Sequence, residues 1–360
     1  LILDVTPDAT LANMPDDFLM KNHGIHGVMD LTSVLYRRGV DYTVIAGHPA
    51  EQEFRHRLST FVAGVRAAGL LQEQTIGITG KPFVGMGDFA VNFSVLKERF
   101  GISTISIDKE SIIRACGDIR ASEIEKLRQL DLETSDASGI EQDIHERDIR
   151  SYLAIKELLD REDATGYTMN FQHVLDGIPV PFYACSRLQA LGYGYGGEGD
   201  VLTAALGHPL NAVAMSKFDE FFCPDWNEDR ILMSHMGETD PRFAKGPIKL
   251  GSRTGFLNQM DSVIFRFEAE PGPVTFASLT PGRKNDFKIV AGVLDIVASP
   301  ILDQIEGPHY LVRPRDSLSV FLEQYAAVGG GHHVYISRGD ILLALRTMSK
   351  ILDFEFHEIN

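Results

Sequence analysis

Along the first third of the chain, short apolar runs alternate with longer stretches whose apolar residues return at helical spacing. Residues 1–5, 42–46, 74–79 and 103–107 read as strands. Between them, residues 27–38 predict a helix with Val28, Leu31, Val34 and Leu35 on one face. Residues 50–68 predict a second, with Phe54, Leu58, Phe61, Val62 and Val65 in phase, and residues 89–100 a third. Strands separated by helices of this length imply parallel sheets with helical crossovers. Residues 130–147 are rich in charge and read as a solvated connection or the exposed flank of a helix. A helix at 150–159, a strand at 166–171 and a helix at 186–191 follow, the last leading into a glycine-rich turn.

Beyond about residue 212 the texture changes to repeated short strands, at 262–268, 274–278, 287–297 and 309–312, punctuated by proline and glycine turns. The expected fold is α/β: two Rossmann-like layers with parallel sheets, the first incomplete, followed by a β-rich, barrel-like C-terminal domain. The expected boundaries are 1–74, 75–211 and 212–360. The opening run has no initiator Met and reads as a buried strand in mid-fold, so residues upstream of it are expected.

Composition narrows the classes of function. The 360 residues carry 34 Lys and Arg against 50 Asp and Glu, a formal net charge of -16. That balance argues against nucleic acid, whose binding draws on clustered basic residues. No apolar run approaches the roughly 20 residues that span a bilayer. The three cysteines, Cys116, Cys185 and Cys223, are widely spaced and form no CxxC pair. Neither a disulfide framework nor a thiolate zinc site is encoded, and a reducing, cytoplasmic setting is expected.

Four segments place candidate ligands among small or turn-forming residues. They are Gly192-Tyr-Gly-Tyr-Gly-Gly-Glu198-Gly-Asp200, Phe218-Asp219-Glu220-Phe-Phe222, Met233-Ser-His235-Met-Gly-Glu238 and Gly329-Gly-Gly-His332-His333. The first reads as a loop and does not match the strand-turn-helix spacing of a dinucleotide fingerprint. Taken singly, a carboxylate pair reads as a solvated turn, and a histidine between methionines as a satisfied core residue. Adjacent histidines in a strand face opposite ways, so at most one of the last pair is expected to point into a given site. Together the segments form an oxygen and nitrogen donor set without thiolate. Such a set suits Mn²⁺, Co²⁺ or Mg²⁺ with open positions for substrate oxygens.

In this order, the segments resemble the L-arabinose isomerase family, with L-fucose isomerases as more distant relatives. The run from Gly192 to Leu206 is similar to that family's GYGFGAEGDWKTAAL, Ser234-His-Met236 to its GSHM, and Gly330-Gly-His-His333 to its GGAHH. The resemblance implies that Glu198, Glu220, His235 and His333 are metal ligands, with Mn²⁺ as the expected ion. It implies that Glu198 and Glu220 also carry proton transfer. Asn22-His-Gly-Ile-His26-Gly27 is similar to the family's NQTAHGG, which implies that His26 reaches a sugar in a neighbouring subunit. Phe83, Phe171, Met236 and His332 fall at or near pocket positions, His332 facing away from the ion or supporting its ligands. The implied assembly is a homo-oligomer, a trimer or hexamer, with its site at a subunit interface.

Two departures stand out. The family's second-glutamate run reads FMEDYTYH where this chain has Phe218-Asp-Glu-Phe-Phe-Cys-Pro-Asp225, which leaves Asp219 as an alternative second carboxylate. Family members also carry a segment ahead of the point matching Leu1, which implies that the first domain is incomplete here. The implied reaction is interconversion of an aldose and a ketose, on a small neutral pentose or hexose, through an enediol. Two rivals remain: a metal-dependent epimerase or lyase on a related or phosphorylated sugar, using Arg253, Arg283, Lys284, Arg313 and Arg315, and a non-catalytic sugar-binding protein on the same scaffold.

Overall fold

The computed structural model describes residues 1–12, 14–173, 179–253, 260–283 and 286–360. The chain divides into two compact units, Leu1–Ala63 and Gly64–Asn360, and the helix Gln52–Leu71 crosses that boundary.

In the first unit, β1 (Ile2–Asp4) pairs in parallel with β2 (Val44–Ala46). The helix Gly24–Arg37 joins them and starts three residues earlier than its apolar spacing predicts. The opening strand is not buried as expected: Leu1 and Leu3 are exposed. Among the described residues, β1 has a single strand partner and the helix Gly24–Arg37 buries none of its own residues.

The second unit opens with β3 (Thr75–Thr79), β4 (Ser103–Ser106), β5 (Ser135–Asp136), β6 (Gly166–Met169) and β7 (Gly194–Gly197). All but β5 form a parallel sheet in the order β4-β3-β6-β7. Chain order reverses direction between β3 and β6. In open α/β sheets, ligands settle beyond the carboxyl ends of the strands at such a switch point. The connections leaving β3, β6 and β7 there carry Phe83, Phe171 and Glu198.

Helix boundaries shift from expectation for identifiable reasons. The helix expected at 89–100 begins only at Phe93, because the Asn92 side chain accepts from the Ser94 N–H and caps it. Phe89 is thereby left in the preceding loop. The charged stretch at 130–147 lies mostly in two helices, Ala121–Thr134 and Gln142–Arg161. It is less solvated than its composition suggests, because Asp131 is fully buried and paired with Arg187, Tyr183 and His145.

Asp148, on the second of those helices, is 1% exposed. Burial pushes its carboxyl up to about 7, with Arg147 opposing only in part. The unfolded chain releases this proton at the ordinary value while the folded chain keeps it. Stability therefore falls as pH rises through that window. Asp148→Asn is expected to remove this slope and raise the melting temperature by several degrees at alkaline pH. Calorimetry across the window checks it, and an unchanged slope in the variant would refute the assignment.

Eight of the next nine strands lie beside at least one antiparallel neighbour: β8 (Ser216–Asp225), β9 (Arg230–Ser234), β10 (Ile248–Arg253), β11 (Ser262–Arg266), β12 (Gly272–Pro281), β13 (Phe287–Val297), β14 (His309–Pro314) and β15 (His333–Arg338). The ninth, β16 (Glu355–Ile359), runs parallel to β13. β10 and β11 pair with each other, and β5 joins them alongside β10. The strands β12-β15-β8-β9-β14-β13 close into a six-stranded antiparallel barrel through a β12–β13 pairing. Closure removes the unpaired edges that an open sheet would present.

The barrel meets the parallel sheet through Tyr335 of β15. Its hydroxyl accepts from the Tyr195 N–H at 2.6 Å and donates to the Tyr195 carbonyl at 3.0 Å. That pair of hydrogen bonds sets β7 against β15, and so sets Glu198 against His333. Among the described residues, no helix is long and apolar enough to cross a membrane.

Candidate metal centre

The glycine-rich run is not the loop its composition suggests. It forms β7, a two-residue turn and the helix Val201–Asn211, so it does have strand-turn-helix geometry. A Cβ at Gly194 would stand 1.9 Å from the Ala204 carbonyl oxygen, so only glycine lets strand and helix pack this closely. The turn itself is Glu198, at φ 59°, and Gly199, at φ 84°. Left-handed backbone at a residue other than glycine costs about 1 kcal/mol or more and persists where surroundings over-determine it. Here the Glu198 carbonyl accepts from the Phe83 N–H at 2.9 Å, and Asp200 caps the helix by accepting from the Thr203 N–H. Glu198 is thereby held with its side chain buried.

Three imidazoles converge on it. His333 is the first residue of β15, His235 follows the end of β9, and His332 lies just before β15. His333 Nε2 is 3.9 Å and His332 Nε2 3.6 Å from Glu198 Oε2. The rings of His235 and His333 are 5.4 Å apart. Room for His235 comes from Gly197, where a Cβ would meet its Cε1 at 2.8 Å. Phe89 stacks on His333 at 5.3 Å, and Phe218 packs edge-on to both His235 and His333.

The expectation that adjacent histidines diverge does not hold here. His332 precedes the strand, so strand alternation does not govern it, and its ring lies 4.1 Å from that of His333. It turns toward Glu198 rather than away. Glu198, His332 and His333 each offer a ligand atom, and these atoms all lie within 4.8 Å of one another.

Glu220 stands directly opposite His333 in the β8–β15 pairing. Asp219, one residue away, belongs to the other face of β8. Its carboxylate accepts from Lys217 Nζ at 2.5 Å and from the Tyr310 hydroxyl at 2.7 Å. Burial raises the Glu220 pKa, against the opposing pull of His235 and His332. Burial also works to raise that of Glu198, but the three imidazoles outweigh it and leave Glu198 below the ordinary glutamate value.

Two buried atoms in this cluster, Glu198 Oε2 and His333 Nε2, have no hydrogen-bond partner among the described residues. Buried polar atoms are nearly always satisfied, and an unsatisfied pair aimed at one point is what a bound cation would use. The donor set fits a divalent ion.

Of the residues expected to line a pocket, Phe83 and Phe171 meet ring to ring at 5.9 Å. Met236 is half-buried beside His235. His26 lies exposed on the helix Gly24–Arg37 of the first unit, its ring 4.7 Å from His23. The cations considered for a phosphorylated substrate are scattered. Arg253 ends β10, Arg313 lies on β14, Arg283 and Arg315 are exposed, and Lys284 falls outside the described residues.

Sequence reasoning missed Asp88 and Phe89, and gave no role to Asp200 or Glu238. Glu238 Oε1 accepts from His235 Nδ1 and from the Tyr195 hydroxyl, each at 2.8 Å. Its spacing three residues after His235 was the available signal. Asp88 had none, because its partner His332 is distant in sequence.

Comparison with known proteins agrees with this architecture. Residues 88–216 match the L-arabinose isomerase central domain and residues 216–355 the L-arabinose isomerase C-terminal domain. An L-arabinose isomerase from a Nocardioides species is 26% identical over 91% of this chain and 68% of its own length. One from Yersinia pseudotuberculosis is 26% identical over 95% of this chain and 72% of its own length. One from Serratia proteamaculans is 25% identical over 96% and 72%. With two consecutive domains matched and the fold and donor cluster in place, the chain belongs to the L-arabinose isomerase family.

Proposed function

We propose that this protein is a divalent-metal-dependent isomerase that interconverts an aldose and a ketose, acting on a free pentose or hexose. The observation that carries the reading is the unsatisfied pair, Glu198 Oε2 and His333 Nε2, within one buried donor cluster. Glu198, Glu220, His235 and His333 would hold the ion, with Mn²⁺ preferred and Co²⁺ or Mg²⁺ as substitutes. When bound, it would polarise the sugar carbonyl and stabilise negative charge on the neighbouring oxygens.

The chain's own residues supply the proton traffic. Glu220, whose pKa is raised by burial, is the stronger base and takes the proton from the carbon next to the carbonyl. Glu198, with the lower pKa, shuttles the proton between the two oxygens. Returning the carbon proton to the other carbon completes the exchange with no net change in atoms. Phe83, Phe171 and Met236 would present apolar surface to the sugar, and His332 a polar edge. His26 would reach a sugar held by a neighbouring subunit of a trimer or hexamer. Domains at 1–74, 75–211 and 212–360, a cytoplasmic setting, and no nucleic-acid or membrane partner complete the reading.

The test is a panel of pentoses and hexoses assayed for ketose with added Mn²⁺. Ketose from at least one neutral sugar, abolished by chelation and restored by Mn²⁺, supports the proposal. Purified protein that holds no stoichiometric divalent ion and forms no ketose would overturn it.

A further inference from the structure

We propose that Asp88 is a positioning residue that acts through His332 on the sugar rather than on the metal; the inference rests on the isomerase reading. Each of the three imidazoles has its Nδ1 occupied by one carboxylate: His333 by Asp200 at 3.0 Å, His235 by Glu238 at 2.8 Å, and His332 by Asp88 at 2.5 Å. Such partners fix ring orientation and aim the other nitrogen.

The three pairs sit in different surroundings. Asp200 and Glu238 are buried, each with a further fixed bond, to Thr203 and to Tyr195, and the rings they hold are sealed. Asp88 and His332 instead each leave 28% of the side chain exposed. An arriving ligand has access to that pair and not to the other two.

Asp88 grips His332 twice, at the ring Nδ1 and at the backbone N–H at 2.8 Å. Its own backbone is anchored to the barrel, where the Thr280 hydroxyl donates to its carbonyl at 2.6 Å. The ring can neither swing nor rotate without losing one of these bonds, and its Nε2 is left facing Glu198. With Nδ1 occupied by Asp88 and the pair open to solvent, Nε2 is the ring atom a sugar hydroxyl can reach. A sugar oxygen held there lies beside Glu198, so the placement of the ring sets how that oxygen is oriented for proton transfer.

The test uses Mn²⁺-loaded protein with Asp88→Asn, His332→Ala, the double variant, and Glu238→Gln as a control on the metal side. Calorimetry gives the Mn²⁺ affinity, and also the affinity for L-arabitol, an alditol with no carbonyl to isomerise. Turnover is followed on whichever sugar the unaltered protein converts. Asp88→Asn is expected to leave Mn²⁺ affinity within about twofold, to weaken alditol binding about tenfold, and to lower kcat more than it raises KM. Glu238→Gln is expected to weaken Mn²⁺ by about 10–100-fold. In the His332→Ala background, Asp88→Asn should add nothing.

A loss of Mn²⁺ affinity in Asp88→Asn, or additive effects in the double variant, overturns the proposal. An unaltered protein that binds the alditol but forms no ketose refutes the isomerase reading alone, and the alditol affinities still decide the role of Asp88. Failure of the alditol to bind the loaded protein overturns both.

Discussion

Replacing Glu198 by Gln is expected to abolish stoichiometric Mn²⁺ binding and to lower kcat/KM for ketose formation by about 10³-fold or more. The substitution keeps the shape of the side chain and the bond from the Phe83 N–H to the residue's carbonyl, so the turn that precedes the helix Val201–Asn211 should persist. What disappears is one negative charge in a cluster of three imidazoles, together with the unsatisfied oxygen that faces His333 Nε2. An amide also cannot move a proton between sugar oxygens. Metal analysis of the purified variant and a ketose assay at saturating Mn²⁺ read the two losses separately. A variant that retains one ion per chain and converts sugar at the normal rate would remove Glu198 from both roles.

The second large effect is expected at Lys217, 3% exposed and paired with Asp219. Lys217→Met should destabilise the protein by about 3–5 kcal/mol, because it leaves the Asp219 carboxylate buried without its counter-charge. Among the described residues, Asp219 would keep the Tyr310 hydroxyl and the Glu220 N–H. Asp219 occupies the place of the methionine in the family's FMEDYTYH run. The double variant Lys217→Met/Asp219→Met should therefore recover most of the loss, since apolar residues of similar size often replace a buried pair at little cost. Urea unfolding of the three proteins measures this. Equal loss in the single and double variants would show that the pair is not what holds this part of β8.

The fold was largely legible because its signals are periodic. Alternating strands and helices marked the parallel sheet, and the punctuated strands after about residue 212 marked the barrel. Helix ends were less legible. Asn92 stops the helix short of Phe89 through a single side-chain bond, which apolar spacing does not encode. The glycine run misled for a related reason. Its glycines serve close packing of β7 against the helix Val201–Asn211, and loop glycines look the same in sequence.

In the site, Glu198, His235 and His333 stood out because each lies in a distinctive segment, and the structure brings them together. The choice between Glu220 and Asp219 could not be read from composition. It depends on which face of β8 each occupies, and that is fixed by the pairing with β15. Asp88 was invisible because it meets His332 only in the folded chain.

The strand order of the barrel has a consequence for how the protein acquires this cluster. β8 and β9 are joined by a short turn and form a local hairpin, so Glu220 and His235 can become neighbours early in folding. β15 lies beside β8 in space but enters from far along the chain. Closing so long a loop is entropically costly and slow. Glu198 arrives from a different sheet again. Any ion gripped by all four side chains thus clasps segments that meet only when the barrel has shut, and its binding energy would be drawn directly into the stability of the closed form. Trp226, the only tryptophan in the chain, lies in the β8–β9 turn. Its fluorescence would follow the early hairpin, while the capacity to bind an ion would mark the last strand coming home.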